Sequence, residues 1–308
     1  MAQRNKRTPS RVVLLLFLGL AAFGLILAML LRGADFRLFN SSGAIAQEQL
    51  NLFLFSLTLL LIVAVPTVIL LYFFAWKYRE SNEKAEHTPN ARHGGKLFVI
   101  AAWGIPTAFM LVLALVMWPA THKLEPIKPI DPGSKPLAIQ VVAMRWKWLF
   151  IYPEQNIATV NLVQVPIGTQ VEFTLTADEA PMSSFWIPHL GGQLYAMTGH
   201  ANKLHLVADK PGNYPGSSAE INGAGFAGMK FTARASSAGD FNRWVQEVQQ
   251  VGNPLDSPAY EKLVKPSENN QEAYYSMVEE GLYDKVLMKY TGGHNHTSQP
   301  ATTHEGQE

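Results

Sequence analysis

Cysteine is absent from all 308 residues, which excludes disulfides, thiolate metal ligation, a cysteine nucleophile and lipid attachment through an N-terminal cysteine. An exported domain tolerates that absence if its core is adequate. An excess of either charge is missing too: 25 Lys and Arg against 24 Asp and Glu give a formal net charge of +1. Bulk electrostatics therefore point to no nucleic-acid partner. Three long apolar runs, 12–31, 52–76 and 97–118, contain no Asp, Glu, Lys, Arg or His. A proton or ion path through a membrane relies on ionisable side chains, so these runs cannot pump by themselves.

What the runs can do is span. Residues 52–76 and 97–118 are each long enough to cross a hydrocarbon core of about 30 Å as a helix. They predict a transmembrane helical hairpin within 34–120. The loop between them carries Lys77, Arg79, Lys84, Arg92 and Lys96, whereas 33–51 carries only Arg37. That asymmetry places the loop in the cytoplasm and everything after Trp118 outside. Tyr72, Trp76 and Trp118 lie near the span ends, where aromatic rings favour the interface. Pro66 and Pro106 are expected to kink the helices, with a structural role. Residues 1–33 combine basic Arg4, Lys6, Arg7 and Arg11 with the first apolar run, as a signal peptide or an N-terminal anchor. The length of that run, and the lack of a small-x-small motif after it, favour the anchor.

Residues 121–136, with Pro126, Pro129, Pro132, Pro136, Lys123, Lys128 and Lys135, predict an extended linker. From Leu137 the period becomes two: Val171, Phe173 and Leu175 alternate with polar neighbours, as do Phe231, Ala233 and Ala235. Short strands are also expected at 139–144, 146–152, 158–164, 184–187 and 203–208, separated by Gly and Pro turn signals. So many short strands without intervening helices predict a β-sandwich or Greek-key barrel over 137–236. Ser237, with Asp240 three residues on, caps a helix that presents Phe241, Trp244, Val245 and Val248 on one face. Ser257-Pro258 opens a second, with Tyr260, Leu263 and Val264. Residues 237–291 are thus a helical extension, rich in aromatics at Tyr274, Tyr275, Tyr283 and Tyr290. The polar tail 292–308, with His294, His296 and His304, reads as disordered.

His189, His200 and His205 are scattered, and none is closely spaced with a second ligand, so they read as structural or exposed. The informative stretch is 214–229, Tyr-Pro-Gly-Ser-Ser-Ala-Glu-Ile-Asn-Gly-Ala-Gly-Phe-Ala-Gly-Met. It resembles the metal loop of subunit II of the haem–copper terminal oxidases. From about Gln47 to Tyr290 the chain is similar to the ubiquinol oxidase branch of that family, cytochrome bo type. In the copper-bearing branch the loop reads Cys-x-Glu-x-Cys-x-x-x-His-x-x-Met, with a further His ahead of a Ser-Phe pair. On this sequence the cysteines fall on Ser218 and Asn222, the loop His on Phe226, and the upstream His on Ser183, before Ser184 and Phe185. A dinuclear copper centre needs bridging thiolates and imidazoles, which a hydroxyl, an amide and a phenyl ring do not supply. Met229, beside Phe226 and Phe231, reads as core packing. Glu220 stands where the copper branch has a glutamate that also helps hold magnesium at the contact with subunit I; alone, it reads as a solvated loop residue.

The resemblance implies a membrane-anchored all-β protein with a cupredoxin fold outside the membrane. It implies a subunit of a proton-pumping terminal quinol oxidase in a bacterial inner membrane, anchoring and structural, with its C-terminal domain in the periplasm. Catalytic, cofactor-binding and metal-binding residues are not expected in this chain; haems, copper and the quinol site are expected in subunit I. Subunit I, subunits III and IV and membrane lipid are the implied partners, and cytochrome c is not one. The aromatic strand 145–152 is similar to the one that receives electrons from cytochrome c in the copper branch; here it reads as packing and as contact surface for subunit I. The tyrosine-rich extension resembles the one that quinol oxidase subunits carry. Where the family commonly has a Leu-x-Gly-Cys lipoprotein signal, this chain reads Leu31-Arg32-Gly33-Ala34, so a lipid anchor is not expected. A family glutamate that feeds a proton channel of subunit I falls on Val99. Two alternatives stay open: the copper-bearing electron-entry subunit of a cytochrome c oxidase, and a free-standing membrane-tethered binding module.

Overall fold

The computed structural model describes residues 39–79, 82 and 95–291. The first apolar run, Lys84 and Arg92 of the basic loop, and the histidine-bearing tail lie outside them. Two helices come first, α1 (Ala44–Lys77) and α2 (Lys96–Lys123), both long and apolar enough to cross a membrane. Each runs through its predicted proline, Pro66 or Pro106. Their apolar side chains face outward, with Leu71, Trp103 and Leu115 among the most exposed, and Val99 is half exposed on α2.

α1 begins eight residues before its apolar run, on a polar stretch containing Gln47, Glu48, Gln49 and Asn51. That polar start of the helix is seated on the β-domain that follows, with Ala46 and Leu50 buried. The first N–H groups of a helix lack internal partners. Here Ala46 N–H donates to the Leu190 carbonyl at 3.2 Å, and just ahead of the helix Ser42 N–H reaches the His189 carbonyl at 2.8 Å. Asp209 N–H returns to the Ser42 carbonyl at 2.8 Å. A Cβ at Gly43 would lie 2.5 Å from the Val207 carbonyl oxygen and 2.8 Å from that of Leu190, so only glycine permits this approach.

The segment after α2 differs from the predicted extended linker. It turns, and it is tied down. The His205 N–H and Nδ1 both meet the Pro126 carbonyl at 3.1 Å, and Asp131 N–H donates to Gln170 Oε1 at 2.6 Å. Lys123 also pairs with Glu48 of α1 at 2.6 Å. A proline-rich composition sets stiffness but says nothing of such long-range bonds.

The β-domain is built from β1 (Leu137–Met144), β2 (Lys147–Tyr152), β3 (Ile157–Val160), β4 (Leu162–Pro166), β5 (Gln170–Ala177) and β6 (Ser183–Trp186). It continues with β7 (Leu194–Ala196), β8 (Asn202–Val207), β9 (Gly212–Ser218) and β10 (Lys230–Ser236). Then come α3 (Ala238–Val251), β11 (Asn253–Leu255), α4 (Ser257–Leu263), β12 (Ala273–Val278) and α5 (Leu282–Thr291). One sheet has the order β11-β12-β3-β2-β1-β5-β8 and the other β4-β10-β9-β6-β7. The expected strand 158–164 is two strands, because Asn161 adopts φ 57° and sends β3 and β4 to different sheets. Its side chain secures the break: Oδ1 accepts from Trp148 N–H at 2.9 Å.

Between the sheets lies an aromatic core in which Trp148, Phe150, Phe173 and Phe185 are fully buried and Phe231 nearly so. Phe185 and Phe231 stack at 5.0 Å, with Trp148 edge-on to both. On the other face of β1 and β2, Val142, Met144, Leu149 and Ile151 meet Leu255, Tyr260, Val264, Leu282, Tyr283 and Val286 of the extension in a second core. β2 is therefore covered on both sides. Its aromatics pack, as expected, but Trp148, Phe150 and Tyr152 are not a contact surface, since they point into the core between the sheets while the extension covers Leu149 and Ile151 on the opposite face. The extension also holds two strands that a helical reading missed. In β12, Tyr274 and Tyr275 lie in a strand that pairs with β3. Ser237 caps α3 as expected, accepting from Asp240 N–H at 3.1 Å. For α4 the cap is Asp256, accepting from Ala259 N–H at 2.9 Å, one residue before the predicted Ser257.

Candidate functional site

β9 and β10 are antiparallel neighbours, and the chain between them, 219–229, closes one end of the barrel. Main-chain bonds fix its base: Ser218 N–H to the Met229 carbonyl at 3.3 Å, and Ala219 N–H to the Ser184 carbonyl at 2.9 Å. These bonds draw together the positions singled out in the sequence. Ser183, Ser218, Asn222 and Met229 are all buried. Asn222 Nδ2 donates to Ser183 Oγ at 2.8 Å and to the Met229 thioether at 3.1 Å. Ser183 Oγ donates to the Pro181 carbonyl at 3.2 Å, and Ser218 Oγ to the Glu220 carbonyl at 2.9 Å. Phe226 stands apart, half-buried at the start of a short 3-10 turn, Phe226–Gly228.

The result is a polar plug where the resemblance places a metal. Its donor set is two hydroxyls, one amide and one thioether. Copper that cycles between oxidation states calls for thiolate and imidazole, so these residues do not fit it. Among the described residues, His, Asp and Glu do not gather in threes at any point suited to a metal ion. Asn222 Oδ1 and the Ser184 hydroxyl are buried with no hydrogen-bond partner among the described residues.

Trp146 roofs the loop. It adopts φ 65°, and its ring lies so close that a Cβ on Gly225 would sit 2.4 Å from it. Glu220 is less free than the sequence suggests: half-buried, it accepts from the Tyr195 hydroxyl at 3.3 Å. The three histidines stay apart. His205 is buried, with Nδ1 on the Pro126 carbonyl and Nε2 3.2 Å from Glu172. His200 is exposed beside the Thr198 carbonyl, and His189 is buried against Tyr214.

Two buried charges near this end were not singled out in the sequence. Asp178, 1% exposed at the end of β5, accepts from Tyr260 and Tyr290 hydroxyls, each at 2.6 Å, and from Lys289 Nζ at 2.9 Å. Burial and then the bond to Asp178 push Tyr260 far above the ordinary tyrosine range. Lys147, 3% exposed, donates to the Leu263 and Lys265 carbonyls and to Ser267 Oγ at 2.7, 2.9 and 2.5 Å. Burial lowers its ammonium from the usual lysine value, while three acceptors match its three protons. A signal was available: a lysine and an aspartate bounding apolar strands have to be paired if buried.

Comparison with known proteins adds independent information. A family model described as cytochrome c oxidase subunit II, periplasmic domain, matches residues 151–236, and one described as the COX aromatic rich motif matches 249–294. The cytochrome bo(3) ubiquinol oxidase subunit 2 of Pseudomonas putida is 46% identical over 288 residues, covering 94% of this chain and 88% of that one. The ubiquinol oxidase subunit 2 of Acetobacter aceti is 43% identical over 272 residues, with 88% of each covered. Among solved structures, the periplasmic domain of subunit II of the cytochrome oxidase of Bradyrhizobium japonicum matches 38% of this chain and 96% of its own at 22% identity, with a TM-score of 0.36.

Proposed function

Since the chain belongs to the ubiquinol oxidase subunit 2 family, we propose that it serves as the anchoring and covering subunit of a terminal quinol oxidase and carries no redox centre. The observation that carries this reading is the plug: Ser183, Ser218, Asn222 and Met229 converge, but as hydrogen-bonding groups. Electrons from quinol then have no stopping place in this domain. Haems, copper and the quinol site fall to subunit I, and subunits III and IV complete the assembly.

α1 and α2 cross the inner membrane, and the β-domain stands in the periplasm. The basic residues of the connecting loop support that orientation. The helices contribute attachment and no proton path, because their apolar runs are free of ionisable side chains. The aromatic core and doubly covered β2 supply a rigid outer cap, and Met182 and Ile221, exposed beside the plug, offer apolar contact to a neighbour.

The test is purification of the intact complex in mild detergent. Haem in the visible spectrum, quinol-dependent oxygen uptake and less than stoichiometric copper in this separated polypeptide are the expected results. Copper at one or two ions per chain would revive the electron-entry reading, and migration without haem would favour a free-standing tether.

A further inference from the structure

The end of the barrel that holds the plug is made from three separate segments, and each is gripped by the C-terminal extension. At the β1–β2 turn, Lys147 is taken by two carbonyls and a hydroxyl between Leu263 and Ser267. At the end of β5, Asp178 is taken by Tyr260, Lys289 and Tyr290. Glu179 N–H donates to the same Tyr290 hydroxyl at 2.8 Å, and Lys289 meets the Glu179 carboxylate at 2.9 Å. At the loop itself, the Asn269 side chain sits so close to Gly228 that a Cβ there would be 2.6 Å from Asn269 Oδ1.

We infer that the extension is a brace that positions the plug end of the barrel, with the Asp178 clasp as its chief tie. The segment after the clasp is short: Asp178 and Glu179 lead within a few residues to Pro181 and Ser183, the hydroxyl that Asn222 binds. Fixing one end of that segment limits where Ser183 can stand, and through Ser183 the loop. Ordinary core packing does not account for this arrangement. The second core on β1 and β2 is apolar and non-directional, whereas the ties at this end are polar and aimed. The three segments also touch one another, through Asn222 on Ser183 and Arg145 Nε on the Glu179 carbonyl at 2.7 Å, and the extension reaches all three of them.

The inference goes beyond the proposed function and does not depend on it, because the measurement is made on this chain. Hydrogen exchange of the full-length protein, purified in detergent with whatever accompanies it, would compare the wild type with Tyr290→Phe, Lys289→Met and Asp178→Asn. Lys285→Met is the control: it lies on α5 but pairs with Glu279, away from the clasp. Exchange in 179–184 and 219–229 should quicken roughly tenfold in the clasp variants and stay unchanged in the control, with β8 and the start of α1 unaffected in both. Fraying confined to 282–291, with 219–229 as protected as before, would overturn the inference. So would equal acceleration everywhere, which would mark the clasp as a general stability element. If Asp178→Asn does not fold, Tyr290→Phe removes a single hydroxyl and keeps the comparison. Loss of haem-bearing partners during purification would bear on the proposed function alone.

Discussion

Lys147 shows how a single side chain can join two parts of the molecule. Its methylenes lie within the sheet and its ammonium ends in three acceptors of the extension. Lys147→Met keeps the bulk and removes the ammonium from two carbonyls and from a hydroxyl that keeps its bond to Asn270, for an expected loss of about 2–3 kcal/mol, measurable by thermal or denaturant unfolding. A fall below about 0.5 kcal/mol would mean that water replaces the ammonium there. Gly225→Ala should cost about 1–3 kcal/mol by driving a methyl group into the Trp146 ring, with a matching change in tryptophan fluorescence. Residue roles were unevenly legible in the sequence. Met229 as packing followed from its phenylalanine neighbours. The bond from Asn222 to Ser183 joins positions 39 apart, and spacing carries no trace of it. Glu220, alone in its loop, has a partner that spacing does not show, since Tyr195 lies on β7, 25 positions away.

At the scale of elements, helices and central strands were readable because their periods are imposed by what they bury. β5 and β10 alternate, and α3 carries its stripe of Phe241, Trp244, Val245 and Val248. β11 and β12 were not, since a short strand paired to a distant partner borrows its stability from that partner. The turn between β12 and α5 makes a prediction of its own. Hydrogen bonds from Lys285 and Ser257 lower the Glu279 carboxyl to about 2, from an ordinary value of 4.5. A carboxyl depressed in the folded state binds fewer protons there than when unfolded, so its stabilisation is complete above about 4.5 and fades as pH falls toward 2. Lys285→Met should raise that pKa and flatten the dependence of Tm on pH between those limits; an unchanged slope would count against the ion pair.

For the molecule as a whole, the two mounting points of the external domain matter most. The start of α1 is bonded into it at His189, Leu190 and Asp209, and the chain leaving α2 is bonded into it at Gln170 and His205. Gly43→Val would press a side chain on main-chain carbonyls that cannot move aside, at an expected cost of about 3 kcal/mol. Exchange at Ser42, Ala46 and Asp209 should quicken and residues 124–136 should become open to protease, while the spectrum of the aromatic core is kept. The hairpin and the barrel were each visible in the sequence, but their junction was not, because a proline-rich stretch looks the same whether it swings or is fastened.

That double fastening changes the thermodynamics of assembly. A domain on a swivelling tether surrenders orientational freedom each time it meets a neighbour, and that loss weakens association. Here the surrender has already occurred during folding, so the outer domain arrives facing one way. Inserting or deleting a residue in 124–136 would leave the barrel intact and misdirect it.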